Sequence, residues 1–189
     1  MKRIILFVFC LAAMGFVYAQ EEETGEKKFD PNKLFFGGYI GLSFGDYTLI
    51  NVSPQVGYQF SQYFAAGAGI NFIYTSIHSF DQYGDEYKEK AGVVGLNVFG
   101  RFYPFQFLFL QVQPELNYTW GDRNYYSDLA TDFKYKGTVV PSVLGGLGAA
   151  IPTGSRGATI ILAQYDLLQQ SRNPYGNQVF FSIGYSTGF

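Results

Sequence analysis

The sequence predicts an all-β protein, an eight-stranded antiparallel up-and-down transmembrane β-barrel. Three observations carry that prediction. Charged residues make up 15% of the 189 residues and aromatic residues 20%, whereas a soluble domain carries about 25% charge. Beyond the N-terminus, no segment has the roughly 18 consecutive apolar residues of a membrane helix. In their place come segments, each near the ~9–11 residues of a tilted membrane strand, in which one parity is apolar and the other polar.

The first segment, 34–45, sets Phe36, Ile40, Leu42 and Phe44 against Gly37, Tyr39, Gly41 and Ser43. In 49–60, Ile50, Val52, Val56, Tyr58 and Phe60 alternate with Asn51, Ser53, Gln55, Gly57 and Gln59. Segment 64–76 sets Phe64, Ala66, Ala68, Ile70, Phe72 and Tyr74 against Gly67, Gly69, Asn71 and Thr75. Segment 92–103 sets Val94, Leu96, Val98 and Phe102 against Asn97, Phe99, Arg101 and Tyr103. The clearest alternation is in 108–120: Leu110, Val112, Leu116, Tyr118 and Trp120 against Gln111, Gln113, Glu115, Asn117 and Thr119. Segment 138–151 is glycine-rich, with Val139, Val143, Leu147 and Ile151 opposite Ser142, Gly146 and Gly148. In 159–170, Ile161, Ala163, Tyr165 and Leu167 oppose Gln164, Asp166 and Gln170. The last, 178–189, sets Val179, Phe181, Ile183, Tyr185 and Phe189 against Ser182, Gly184, Ser186 and Gly188.

Alternation alone also fits a soluble sheet with one wet face. The charges decide against it. Within the segment cores only Arg101, Glu115 and Asp166 are charged, and all three fall on the polar parity. A wet face would be rich in Lys and Glu, whereas this parity holds Gly, Ser, Thr, Asn, Gln and Tyr. A basic side chain on the lipid face at mid-bilayer would cost about 2–4 kcal/mol. Tight links at Ser61-Gln62, Pro104-Phe105-Gln106 and Pro152 to Gly157 alternate with long polar loops at 77–91 and 121–137. Shorter links lie near Asp46-Tyr47 and from Ser171 to Asn177. Short turns on one side and longer loops on the other are the pattern of membrane barrels. Tyr58, Phe60, Phe64 and Phe102 near one set of segment ends, and Tyr74, Tyr118 and Trp120 near the other, suit interfacial girdles.

Residues 1–19 read as a secretory signal: Lys2 and Arg3, an apolar run from Ile4 to Val17, then Val17 and Ala19 before cleavage. Residues 20–33 read as a polar, disordered lead-in on the periplasmic side, and 34–189 as the barrel domain. The single cysteine, Cys10, lies inside the signal. The mature chain therefore offers no disulfide or thiol nucleophile.

Catalysis finds little support. The one histidine, His78, sits beside Ser79 and Asp81. A His-activated serine of a lipid-modifying hydrolase is conceivable there, but neighbouring strand residues point to opposite faces. One histidine without a cysteine does not build a typical zinc site, and the sequence points to no cofactor. A net charge of -2 without an aromatic-interleaved basic patch gives no nucleic-acid footprint. Arg101, Glu115 and Asp166 are expected to line the lumen and to fill it with hydrogen bonds. The inward Tyr39, Gln55, Gln59, Asn71, Phe99, Tyr103, Gln113 and Gln164 add bulk. The inward glycines, among them Gly41, Gly57, Gly67, Gly69, Gly146 and Gly148, leave space. Arg101 and Glu115, at opposite ends of a hairpin, are not expected to pair. The Tyr-rich loops 77–91 and 121–137 are candidate contact surfaces for an extracellular ligand.

The runs FFGGYIGLSFG, SPQVGYQF with YFAAGAGINF, VFGRFYPF with LFLQVQPELNY, and FFSIGYSTGF span 34–189. With these, the chain resembles the small outer-membrane barrels of Gram-negative bacteria, the OmpA- and OmpW-like eight-stranded porin-family domains of Bacteroidetes type. The resemblance implies an outer-membrane location, contact with outer-membrane lipid and lipopolysaccharide, and passage through the barrel-assembly machinery. It implies that Phe181, Ile183, Tyr185 and the terminal Phe189 form the assembly signal. Thr187 departs from that pattern, which prefers an apolar residue. A non-enzymatic envelope-structural or surface-recognition role is the expected function, with a narrow channel for small solutes or hydrophobic ligands as the alternative.

Overall fold

The computed structural model describes residues 29–43, 47–126, 132–154, 157–170, 172–175 and 179–188. The expected signal, most of the lead-in and Phe189 lie outside them. After a single 3-10 turn, Pro31–Lys33, come eight strands. They are β1 (Leu34–Ser43), β2 (Tyr47–Ser61), β3 (Phe64–Phe80), β4 (Glu86–Phe105), β5 (Leu108–Tyr125), β6 (Phe133–Pro152), β7 (Gly157–Asp166) and β8 (Phe180–Thr187). Each pairs antiparallel with its sequence neighbours, and β1 pairs with β8, so the barrel is closed. That closing seam is short, with Phe36 to Ile40 facing Thr187 to Ile183.

The strands of one end join through the two-residue turns Gln62-Tyr63 and Gln106-Phe107, and through a turn after Pro152 where Gly154 takes a φ of 80°. We call this the turn end and its opposite the loop end. Along β5 the alternation is regular: Phe109, Gln111, Gln113, Glu115 and Asn117 are buried, and Leu110, Val112, Leu116 and Tyr118 are exposed.

The loops expected at 77–91 and 121–137 are mostly strand. β3 runs on to Phe80 and β4 begins at Glu86, so only 81–85 turns. Asp81 closes this turn through its carboxylate, which accepts from the backbone N–H of Tyr83 (2.8 Å) and Asp85 (3.0 Å). Gly84 supplies the positive φ of 85° that the return needs. β5 likewise extends to Tyr125 and β6 starts at Phe133. Polar side chains occur on both faces of these extensions, so no single apolar parity marks them while the ladder continues. At the same end, β7 stops at Asp166 and β8 starts at Phe180, inside the segments 159–170 and 178–189.

The inward parity is not polar throughout. Phe35, Tyr39, Phe99, Tyr103, Phe109, Ile160 and Leu162 form a buried cluster in the turn-end half of the lumen. Glycines seat their rings. Phe35 faces Gly57, Phe99 faces Gly67, Phe109 faces Gly148 and Tyr39 faces Gly184 as cross-strand partners. In each pair a Cβ on the glycine would run into the ring opposite. The missing side chain thus lets the ring lie flat on the neighbouring strand, a pairing that restores packing at a strand glycine. Of the glycines that seemed to leave space, Gly57, Gly67 and Gly148 are seats of these aromatics, whereas a Cβ at Gly69 or Gly146 would meet the side chain of Gln55 or Gln164.

Candidate functional site

Arg101, on the inward face of β4, is 1% exposed. Its guanidinium lies over the rings of Phe99 (4.6 Å), Phe109 (5.0 Å) and Phe35 (5.6 Å). Such desolvated cation–π contacts contribute up to about 2 kcal/mol each. Nη2 donates to the Tyr39 hydroxyl (2.9 Å) and to Gln55 Oε1 (3.1 Å), and Nε donates to Gln111 Oε1 (2.7 Å).

From there a polar ladder climbs the inner face of β5. Gln111 Nε2 donates to Gln113 Oε1, and Gln113 Nε2 donates to Glu115 Oε1. Spacing of two along a strand puts these side chains on one face within reach of one another. The cation at the foot fixes the oxygen of the first amide, and the carboxylate at the head draws the nitrogen of the second. Every amide in the chain therefore has one satisfied orientation, and aligned bonds of this kind reinforce one another.

Glu115, 3% exposed, gathers four donors. Oε1 also accepts from Asn71 Nδ2 (2.8 Å), while Oε2 accepts from Asn117 Nδ2 (3.0 Å) and the Tyr175 hydroxyl (2.6 Å). Asn97 Nδ2 in turn donates to Asn71 Oδ1 (2.9 Å). Arg101 and Glu115 do not touch; the two glutamines connect them.

Asp166 ends β7 and lies apart from this ladder. Its Oδ1 accepts from the backbone N–H of Val143 (3.1 Å) and Leu168 (3.0 Å), which makes it a cap for the strand end. Its Oδ2, Arg101 Nη1, Asn117 Oδ1 and Ser142 Oγ are buried polar atoms with no protein partner, and a lumen of this polarity suits ordered water at such points.

Tyr175 was not among the residues that sequence reasoning singled out. It lies in the link between β7 and β8, where Asn173 Oδ1 accepts from its backbone N–H (2.7 Å). Its ring stacks on Phe180 at 4.6 Å and 8°. The segment thus reaches over the loop end of the lumen and anchors on Glu115. Burial, with the Glu115 charge beside it, pushes the Tyr175 hydroxyl well above its usual range, so it stays a donor. The only sequence signal was indirect: a buried carboxylate on β5 needs donors.

On the strand extensions, Arg123 donates to Glu89 Oε2 through Nε (2.8 Å) and lies 4.4 Å over the Tyr87 ring. Hydrogen bonding to Tyr125 and then Glu89 raises its pKa, and it stays charged. His78 sits on the outside, with Nε2 2.6 Å from Glu86 Oε1 and its ring 5.8 Å from Tyr126. Ser79 follows on the other face of the strand, so the pair lacks the geometry of an activated nucleophile. Replacing His78 by alanine is expected to change stability by less than about 0.5 kcal/mol in a denaturant titration, as for an exposed pair. Among the described residues, no three His, Cys, Asp or Glu side chains converge as a metal site.

No family model and no curated protein matches the chain. Among solved structures it is similar to Neisserial surface protein A (NspA), at 11% identity and a TM-score of 0.40, over 82% of this chain and 94% of that one. The strand pairing, not this distant likeness, establishes the eight-stranded barrel.

Proposed function

We propose that the chain is an outer-membrane barrel with a closed interior and a non-enzymatic role, as an envelope-structural or surface-recognition protein. The observation that carries this reading is the inversion of its polarity. Ile40, Leu96, Leu116, Val139 and Ile183, each about 60% exposed, belong to an apolar band on the outside, while Arg101, Glu115 and Asp166 are buried within. An apolar surface of that extent is far beyond the few hundred Å² that a soluble monomer presents. It suits the acyl chains of a bilayer, and a closed barrel is one of the two architectures that satisfy every backbone group there. Lys88 and Lys90 point outward just past the band, where lipid phosphates, including those of lipopolysaccharide, would meet them. The exposed Phe80, Tyr83, Tyr126 and Phe133 crown the loop end and offer contact area to an extracellular partner.

In the same reading, Phe181, Ile183 and Tyr185 on the outer face of β8 act with Phe189 as the signal read by the assembly machinery. Membrane fractionation of a Gram-negative host tests both points. The full chain is expected in the outer-membrane fraction, folded and resistant to unfolding in cold detergent. Deleting Phe189 is expected to reduce that folded fraction several-fold. Recovery of the folded parent chain in the soluble periplasm would defeat the location, and full assembly without Phe189 would defeat the signal.

A further inference from the structure

Counted from the turn end, the inward face changes character twice. Above the aromatic cluster comes the polar belt of Asn71, Asn97, Glu115 and Asn117. Above that belt apolar side chains reappear on the inward face at Ile73, Ile77 and Val93, among Thr75, Ala91 and Thr119. These line a cavity of about 400 Å³ at the loop end, with Tyr135, Lys136 and Arg172 also on its wall. Ligand pockets run from about 300 to 1,000 Å³. Apolar side chains are not needed there to exclude water from the lumen, because the belt and the aromatic cluster beneath already fill it.

The charges around the cavity are unequal. Its one carboxylate, Glu89, is held by Arg123. Its two cations, Lys136 and Arg172, have no carboxylate partner among the described residues. Arg172 Nη1 instead makes long contacts to the Lys136 carbonyl oxygen and Thr138 Oγ1, both at 3.4 Å. These hold the guanidinium at the edge of β6 with donors to spare.

We propose that this cavity binds a small amphiphilic carboxylate. The apolar body would lie against Ile73, Ile77 and Val93, and the carboxylate would take charge-assisted hydrogen bonds from Arg172 and Lys136. The inference deepens the surface-recognition reading and rests on a loop end that is open to solvent. Its failure would leave the membrane location and the closed lumen untouched, since neither enters the binding measurement.

The test is calorimetry on the folded chain in lipid nanodiscs, with empty nanodiscs as the blank. The probe is 3-phenylpropanoate and its neutral twin is 3-phenylpropanamide. Saturable binding of the acid is expected, with the amide weaker by about tenfold, which corresponds to about 1.4 kcal/mol. The double variant Lys136→Gln with Arg172→Gln is expected to bring the acid down to the level of the amide. Both positions are exposed, so the variant should fold. Val93→Phe, which fills the cavity, is expected to remove binding of both probes. Equal binding of acid and amide, an unchanged affinity in the double variant, or heats no larger than those of empty nanodiscs would each overturn the proposal.

Discussion

Replacing Glu115 by alanine is expected to lower the unfolding free energy by about 3–5 kcal/mol, the range for breaking a buried charged network from one side. The loss has an identifiable origin. Asn71, Gln113, Asn117 and Tyr175 each direct a donor at this carboxylate, and each donor left unpaired in a buried place costs about 1–3 kcal/mol before relaxation. Relaxation and water entry recover part of that sum, which is why the expected total is smaller than four full penalties. Glu115→Gln should cost less, about 1–2 kcal/mol, because its amide oxygen still accepts two of the bonds. Tyr175→Phe removes the bond to Glu115 and a long one from Asn71 (3.4 Å), and should cost about 1 kcal/mol. Denaturant titrations of the refolded barrel in vesicles, followed by Trp120 fluorescence, give all three values. An alanine variant within about 0.5 kcal/mol of the parent would mean that the ladder contributes nothing to stability.

The second large effect is expected at Gly67. A Cβ there would fall 2.5 Å from Phe99 Cζ and 2.7 Å from the Cα of Gly57, and against the carbonyl oxygen of Val56. Two of these three obstacles are backbone of the adjacent strand, which moves only if the barrel does. Gly67→Ala is therefore expected to cost about 3 kcal/mol, the upper end of ordinary overpacking, and trimming the ring with Phe99→Leu should not restore it. Gly57 behaves differently, because the three atoms nearest to its added Cβ all belong to the Phe35 ring. Gly57→Ala should be largely rescued by Phe35→Leu. The contrast is measured by the same titrations, and a Gly67→Ala variant rescued by Phe99→Leu would contradict the assignment of the cost at Gly67 to the backbone of the adjacent strand.

Much of this architecture was legible in the sequence because a barrel wall imposes a period of two on every strand. β5 shows the reason most directly. Gln111, Gln113, Glu115 and Asn117 alternate with Leu110, Val112, Leu116 and Tyr118, so one face has to be wet and the other greasy. Where both environments are polar the signal fades. Residues 77–80 and 121–125 read as loop because no apolar parity marks them, yet backbone pairing carries on to Phe80 and Tyr125. The aromatic cluster was hidden for the opposite reason. Phe35, Phe109, Ile160 and Leu162 lie on the inward parity, and an apolar residue there is indistinguishable in sequence from an irregularity of the pattern. The role of the inward glycines depended on register: Gly57 was visible, but that Phe35 faces it follows only from the pairing of β1 with β2. Tyr175 lies in a link with no period at all, and only the donors that Glu115 gathers reveal its place.

The barrel proposed above crosses the bilayer closed, with Arg101 and the aromatic cluster around it filling the turn-end half beneath the Glu115 belt. Eight strands enclose a space that side chains just fill, and open aqueous lumens need roughly twice as many. Reconstitution of the purified, folded chain in planar bilayers tests this most directly. A silent membrane is expected, without stable conductance steps of the porin kind. Reproducible steps from the folded barrel would contradict it and would make the lumen a channel.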